Sequence, residues 1–144
     1  MSERSQKLFS SIFRVRYRVR VRRRIHRRKK TSVLSKKQYE THKESDRALI
    51  IERLMHFNSF YKLVYRRVFI KNSPSRWGSC SKAGNLNFNY RVVLLPNHLA
   101  DYIIVHELCH IDQFNHSKKF WDLVGQTIPD YEKRRLELRK IGMK

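Results

Sequence analysis

Residues 12–21, IFRVRYRVRV, alternate strictly. Phe13, Val15, Tyr17, Val19 and Val21 fall on one face, and Arg14, Arg16, Arg18 and Arg20 on the other. A period of two predicts a half-buried strand at a sheet edge, shielded by its charges. The following RRRIHRRKKTS reads as a basic linker. From about Lys36 to Tyr61 the period lengthens. Ile50, Leu54, Phe57 and Tyr61 recur at helical spacing, with Ile51 and Met55 beside them. KLVYRRVFIKN predicts a strand. SPSRWGSCSKAGNLNFNYRVVLLP predicts a hairpin turning near KAGN, where Gly84 and Asn85 tolerate positive φ. In its second strand Leu86, Phe88 and Tyr90 share one face and Asn87, Asn89 and Arg91 the other, until Pro96 ends it.

PNHLADYIIVHELCHIDQF predicts a buried helix with Asn97 as its N-cap and a break near Asn115. A second helix starts near Ser117, with Phe120, Trp121 and Val124 as its stripe. A third starts in IPDYEKRRLELRK, where Leu136 and Leu138 are the main apolar contributors. Strand, helix, strands, helices in that order indicate an α+β fold, a small antiparallel sheet packed on helices.

Charge divides the chain. The net charge is +21, and residues 1–37 carry 15 Lys and Arg against the single acid Glu3. The expected organisation is a basic N-terminal arm over 1–37 and a folded domain over 38–144. Such a field attracts nucleic acid, anionic lipid or acidic protein without sequence preference. The arm is thus a candidate for non-specific nucleic-acid contact through phosphates, or simply a solvated face. Two cysteines, Cys80 and Cys109, are too few for a disulfide framework. No apolar run is long enough for a transmembrane segment. The expected location is cytoplasmic, although an Arg-rich, acid-poor arm also fits a mitochondrial transit peptide.

The chemistry concentrates in VHELCHIDQFNHSKKFW. On a helix turning about 100° per residue, His110 lies about 40° from His106, one turn on, and Glu107 flanks the same face at about 100°. Imidazoles at i and i+4 can share one small cation. Zinc takes about four ligands, of which a catalytic site draws about three from protein. His116 becomes a third ligand if the chain turns between His110 and His116. Three neutral imidazoles would leave the ion its full charge and bring the pKa of a bound water to about 7. Glu107 is placed to take that water's proton and pass it to a leaving group. The spacing predicts Zn2+ at His106, His110 and His116, one ion per chain, although other divalent ions also suit imidazole.

These motifs, read together, resemble the YgjP-like metallopeptidase-domain family. The shared elements are RWGSC, the hairpin ending in a basic residue, the DY-apolar lead-in, HELCH, NHS-x-x-FW and PDY, from about Lys36 to Tyr131. The resemblance implies a zincin-like minimal metallopeptidase fold with HExxH on its active-site helix. It also implies a metal-dependent hydrolase with His106, His110 and His116 as zinc ligands and Glu107 as catalytic acid/base. It implies a longer N-terminal β region too; here one strand-like stretch and a basic linker stand in its place. The histidine spacing also equals that of metzincins, but Gln113 stands where they have glycine.

The expected function is a zinc-dependent metallopeptidase acting on peptide or protein. Two alternatives stay open on the residues: a phosphate-ester or nucleotide hydrolase aided by Arg76 and Arg91, and a basic nucleic-acid-binding protein with a structural zinc. Zincins lay a substrate peptide along an edge strand, and GNLNFNYR is the candidate. Asn87, Asn89 and Arg91 would then face the cleft, or else solvent. Arg76 suits a carboxylate or phosphate contact, or an ion pair within the protein. Phe120 and Trp121 are expected beneath His116, and Cys109 as a small buried residue. Tyr131 is a candidate oxyanion donor or a packing residue.

Overall fold

The computed structural model describes residues 33–142, so the predicted strand at 12–21 and the basic linker lie outside the described residues. Helix α1 spans Val33–Tyr61. Strands β1 (Arg67–Lys71), β2 (Gly78–Cys80) and β3 (Asn85–Asn89) follow, then a 3-10 segment at Tyr90–Leu94. Helices α2 (Asn97–Cys109), α3 (Lys118–Gly125) and α4 (Tyr131–Ile141) complete the order. No helix among the described residues is long and apolar enough to cross a membrane.

The stripe that predicted α1 is the face it buries. Ile50 and Leu54 are fully enclosed, while Met55 is exposed. The helix stops where Lys62 adopts φ 55°, a left-handed conformation that costs a non-glycine residue about 1–2 kcal/mol. Asn58 offsets that cost. Its amide donates to the Leu63 carbonyl and its oxygen accepts from the Leu63 N–H, both at 2.9 Å.

The α+β architecture agrees with the alternating patterns, but the sheet is mixed rather than antiparallel. Its order is β1-β3-β2, with β2 antiparallel and β1 parallel to β3. Strand β3, expected at an edge, is therefore paired on both sides. The second hairpin strand is also shorter than Pro96 suggested. Asn89 turns it into the 3-10 segment by accepting the Arg91 N–H on its side chain at 3.1 Å. At the hairpin tip Gly84 has φ 72° and its N–H donates to the Ser81 carbonyl; Asn85 is already in β3.

Helix α2 runs through the middle of the core. Leu99, Tyr102, Ile103, Ile104, Val105, Leu108 and Cys109 are all buried, in contact with α1, the sheet and the two later helices. A helix apolar on nearly every side has to be covered on nearly every side. Pro96, not Asn97, holds the cap position, with no side-chain cap bond. The helix ends at Cys109, earlier than the expected break near Asn115. Arg53 of α1 holds Asp101 of α2 through two parallel hydrogen bonds, one from Nε at 2.8 Å. The Tyr61 hydroxyl joins α1 to α3 by donating to the Leu123 carbonyl at 3.0 Å and meeting the Thr127 hydroxyl at 2.7 Å. In α4, Leu138 packs on the core, whereas Leu136, expected to contribute, is 57% exposed. Two residues apart on a helix, they cannot share one face.

A Gly84→Ala protein tests the hairpin tip. The added Cβ has no neighbour closer than 3.7 Å, so its cost is conformational. Thermal unfolding should show a loss of about 1–2 kcal/mol. An unchanged Tm would mean that the turn does not hold this conformation.

Candidate metal centre

Three imidazoles meet where α2 gives way to α3. His106 lies in α2, one turn before its end. His110 is the cap residue, and its N–H still bonds the His106 carbonyl. The chain then folds through tight turns, with the Ile111, Asp112 and Gln113 N–H groups bonded back to Leu108 and Cys109. That reversal returns His116 over the end of the helix. The His106 Nε2 lies 3.2 Å from His110 Nε2 and 3.0 Å from His116 Nε2. All three ligand atoms fall within 4.8 Å of one another.

The protonation states suit a cation. His110 Nδ1 is 2.8 Å from the Gln113 carbonyl oxygen, which can only accept. The proton is therefore on Nδ1, and Nε2 turns a lone pair toward the cluster. Burial lowers the pKa of His106 to about 3, with the neighbouring His110 and His116 pushing the same way. Burial also lowers His110 and His116. Three Nε2 atoms brought this close can share one cation between them. A tetrahedral ion with nitrogens at about 2.0–2.1 Å would separate them by about 3.3 Å, close to the two distances from His106. The residues present fit a divalent metal.

Aromatic side chains hold the imidazoles in place. Phe120 is fully buried and stacks on His110 with ring centroids 4.5 Å apart. Trp121 stacks on His116 at 5.5 Å, and Tyr131 stacks on Trp121 at 5.0 Å. Phe120 and Trp121 therefore support the cluster as expected, and Tyr131 packs behind it. Cys109 is wholly buried, its thiol pushed up to about 12 by burial. It is not in the histidine cluster.

Glu107 is buried against β2. A Cβ built on Gly78 would lie 2.5 Å from Glu107 Cγ and 2.6 Å from Oε1. Only glycine admits that carboxylate to the strand. Glu107 Oε2 is buried with no hydrogen-bond partner among the described residues. Burial raises its pKa to about 8, against an opposing pull from the Arg76 charge. A divalent cation beside it would pull the carboxyl back down.

The other expected residues separate. Arg76, Asn87 and Asn89 line one cavity of about 520 Å³ that reaches Gly78. Arg91 lies outside that lining, its guanidinium over the ring of Tyr90. The Asn87 amide donates to the carbonyl and hydroxyl of Ser79, at 3.1 and 3.2 Å. Asn89 is 1% exposed, and its amide donates to the Ser73 carbonyl at 2.6 Å and the Arg76 carbonyl at 3.3 Å. Both hydrogens of that amide are committed, so Asn89 shapes the loop rather than reaching outward. With β3 central, the edge strand beside Glu107 is β2.

Two neighbours of the centre were not expected. One is Gly78, visible in the sequence only as the glycine of RWGSC. The other is Arg135 in α4, over the Trp121 ring at 4.9 Å and close enough for its charge to oppose protonation of His106 and His116. Its spacing of four from Tyr131 places both on one helix face, which is the one sequence signal for it.

The family model described as "YgjP-like, metallopeptidase domain" matches residues 9–141. The chain belongs to the YgjP-like family. It is a metal-dependent hydrolase, and its reaction is that of a peptidase. Membership favours the peptidase reading over the phosphate-ester and structural-zinc alternatives. No curated protein matches the chain. Among solved structures, the metallopeptidase zymogen of Pyrococcus abyssi, abylysin, shares the fold. The TM-score is 0.54 and the identity 24%, over 61% of this chain and 92% of that one. The family match also reaches further toward the N-terminus than the motifs that suggested it, which begin near Lys36.

A Gly78→Ala protein tests the cradle around Glu107. It should fold and bind metal like the parent, because the histidines are untouched, yet lose at least about tenfold in peptidase kcat/KM through misplacement of the carboxylate. Parent-like activity, measured beside metal content, would show that Glu107 need not lie against β2.

Proposed function

We propose that this YgjP-like protein is a zinc metallopeptidase in which His106, His110 and His116 hold the ion and Glu107 moves the proton. The convergence of three imidazole nitrogens at the end of the helix that also buries the unpartnered Glu107 carboxylate carries the reading. A divalent ion there would supply Lewis-acid polarisation and lower the pKa of water. The remaining steps belong to the chain itself.

Glu107 accepts the proton of the attacking water and delivers it to the leaving amine nitrogen, so that one carboxylate serves as base and then as acid. Its unpartnered Oε2 is the atom for that exchange. Gly78 keeps the carboxylate close to the strand on which substrate lies.

The substrate polypeptide pairs with the outer edge of β2. Asn89 donates its backbone N–H to the Trp77 carbonyl, and Ser81 donates to the Asn85 carbonyl. The antiparallel alternation between those bonds turns the Ser79 backbone toward β3 and the Gly78 and Cys80 backbones outward. Main-chain pairing there would bring a peptide past Glu107 without demanding a particular side chain. As the carbonyl is attacked, negative charge grows on its oxygen. The Arg135 charge that already disfavours protonated His106 and His116 favours that oxyanion.

Glu107→Gln separates binding from chemistry. The variant should retain about one zinc per chain and lose hydrolysis of a peptide substrate by about 10²–10⁴-fold. His106→Ala should lose both. Undiminished hydrolysis by Glu107→Gln, with metal present, would remove Glu107 from the mechanism.

A further inference from the structure

The cavity at the N-terminal end of β2 is built around two cations. Lys71 ends β1 and Arg76 stands two residues before β2. Both line the same space of about 520 Å³, with Ser73, Ser75, Ser79 and Asn87 as its polar wall. Neither cation has an ion-pair partner among the described residues. Lys71 Nζ is instead over the Phe69 ring at 5.7 Å. Burial lowers the Lys71 pKa, and the Arg76 charge lowers it further.

The wall that carries Arg76 is fixed. The Asn89 side chain ties the Ser73 and Arg76 carbonyls to the central strand, and the Asn89 N–H donates to the Trp77 carbonyl at 2.7 Å. The chain thus keeps two like charges facing one opening, and the acid that feels Arg76 is the buried Glu107 carboxyl behind Gly78. The cavity also touches the reaction centre, since Gly78 lines it and abuts the Glu107 carboxylate.

We propose that this cavity is a specificity pocket for an acidic side chain, Asp or Glu, of the substrate polypeptide, bound by Arg76 and Lys71 within a few residues of the bond cleaved. The planar guanidinium of Arg76 can take a carboxylate through two hydrogen bonds, and Lys71 adds a point charge. The serine hydroxyls add polar lining beside Trp77 and Phe88, while the Asn87 amide is held by Ser79. The proposal rests on reading Glu107 as the group beside the scissile bond. It adds the substrate class: polypeptides with an acid at a fixed distance from that bond.

A binding experiment decides it without relying on turnover. Zinc-loaded Glu107→Gln protein is titrated against fluorescein-labelled, alanine-rich peptides that carry one Glu at successive positions, each with its Gln twin and a phosphoserine counterpart. At one position, Glu should bind about tenfold more tightly than Gln. In a Lys71→Gln/Arg76→Gln background that ratio should fall to about one. The same charge is removed elsewhere by Lys133→Gln/Lys140→Gln on α4, and there the ratio should persist.

Equal affinity for Glu and Gln at every position overturns the pocket. So does an equal loss of discrimination in the α4 control, which would assign the effect to the overall positive field. Discrimination confined to phosphoserine overturns the carboxylate assignment in favour of a phosphate. Chelator-sensitive cleavage of the same peptides by the parent protein reads out the peptidase mechanism separately, so either claim can fail alone.

Discussion

Helix α2 is apolar on nearly every side, and its burial governs the rest of the structure. Once Leu99, Ile104, Val105 and Leu108 are enclosed, His106 and Glu107 are carried into a low-dielectric interior as well. An imidazole and a carboxylate buried there cannot stay charged cheaply. His106 becomes a neutral imidazole, and Glu107 a carboxyl that holds its proton more tightly than usual. The same packing that stabilises the fold therefore prepares both groups. A bound cation would complete the site by supplying the charge that burial withheld from the imidazoles.

The supporting residues act at one remove. Gln113 offers a carbonyl that orients the His110 ring. Phe120 and Trp121 wedge His110 and His116 against rotation. Gly78 leaves room for Glu107 by lacking a side chain. Arg76 and Arg135 place positive charge around the centre without joining the histidine cluster. They divide the work: Arg135 acts on His106 and His116, and Arg76 on Glu107 and the cavity beyond it. Much of the positive charge near the centre thus has local tasks, apart from the diffuse field of a chain with net charge +21.

What could be read from the sequence was whatever depends on local spacing. The 3.6-residue period exposed α1 through Ile50 and Leu54, and the i, i+4 pair exposed His106 and His110. Helix breaks near His116 were implied by geometry, because six residues cannot return to the same helix face. Strand neighbours were not legible. Alternation along Leu86–Asn87–Phe88–Asn89 is equally compatible with an edge and a central strand, since the parallel partner β1 enters from the far side of the loop at 72–77. The true end of α2 was hidden because a side-chain bond, from His110 to Gln113, fixes the turn. Arg135 was hidden because its neighbours are set by the docking of α4, not by any motif.

The chemistry depends on which atoms hold the ion, and X-ray absorption at the zinc edge of the loaded protein reads that directly. It should show nitrogen or oxygen neighbours only, at about 2.0–2.1 Å, with the multiple-scattering signature of three imidazoles. A sulfur neighbour at about 2.3 Å would place Cys80 or Cys109 on the metal and contradict a site held by the three histidines.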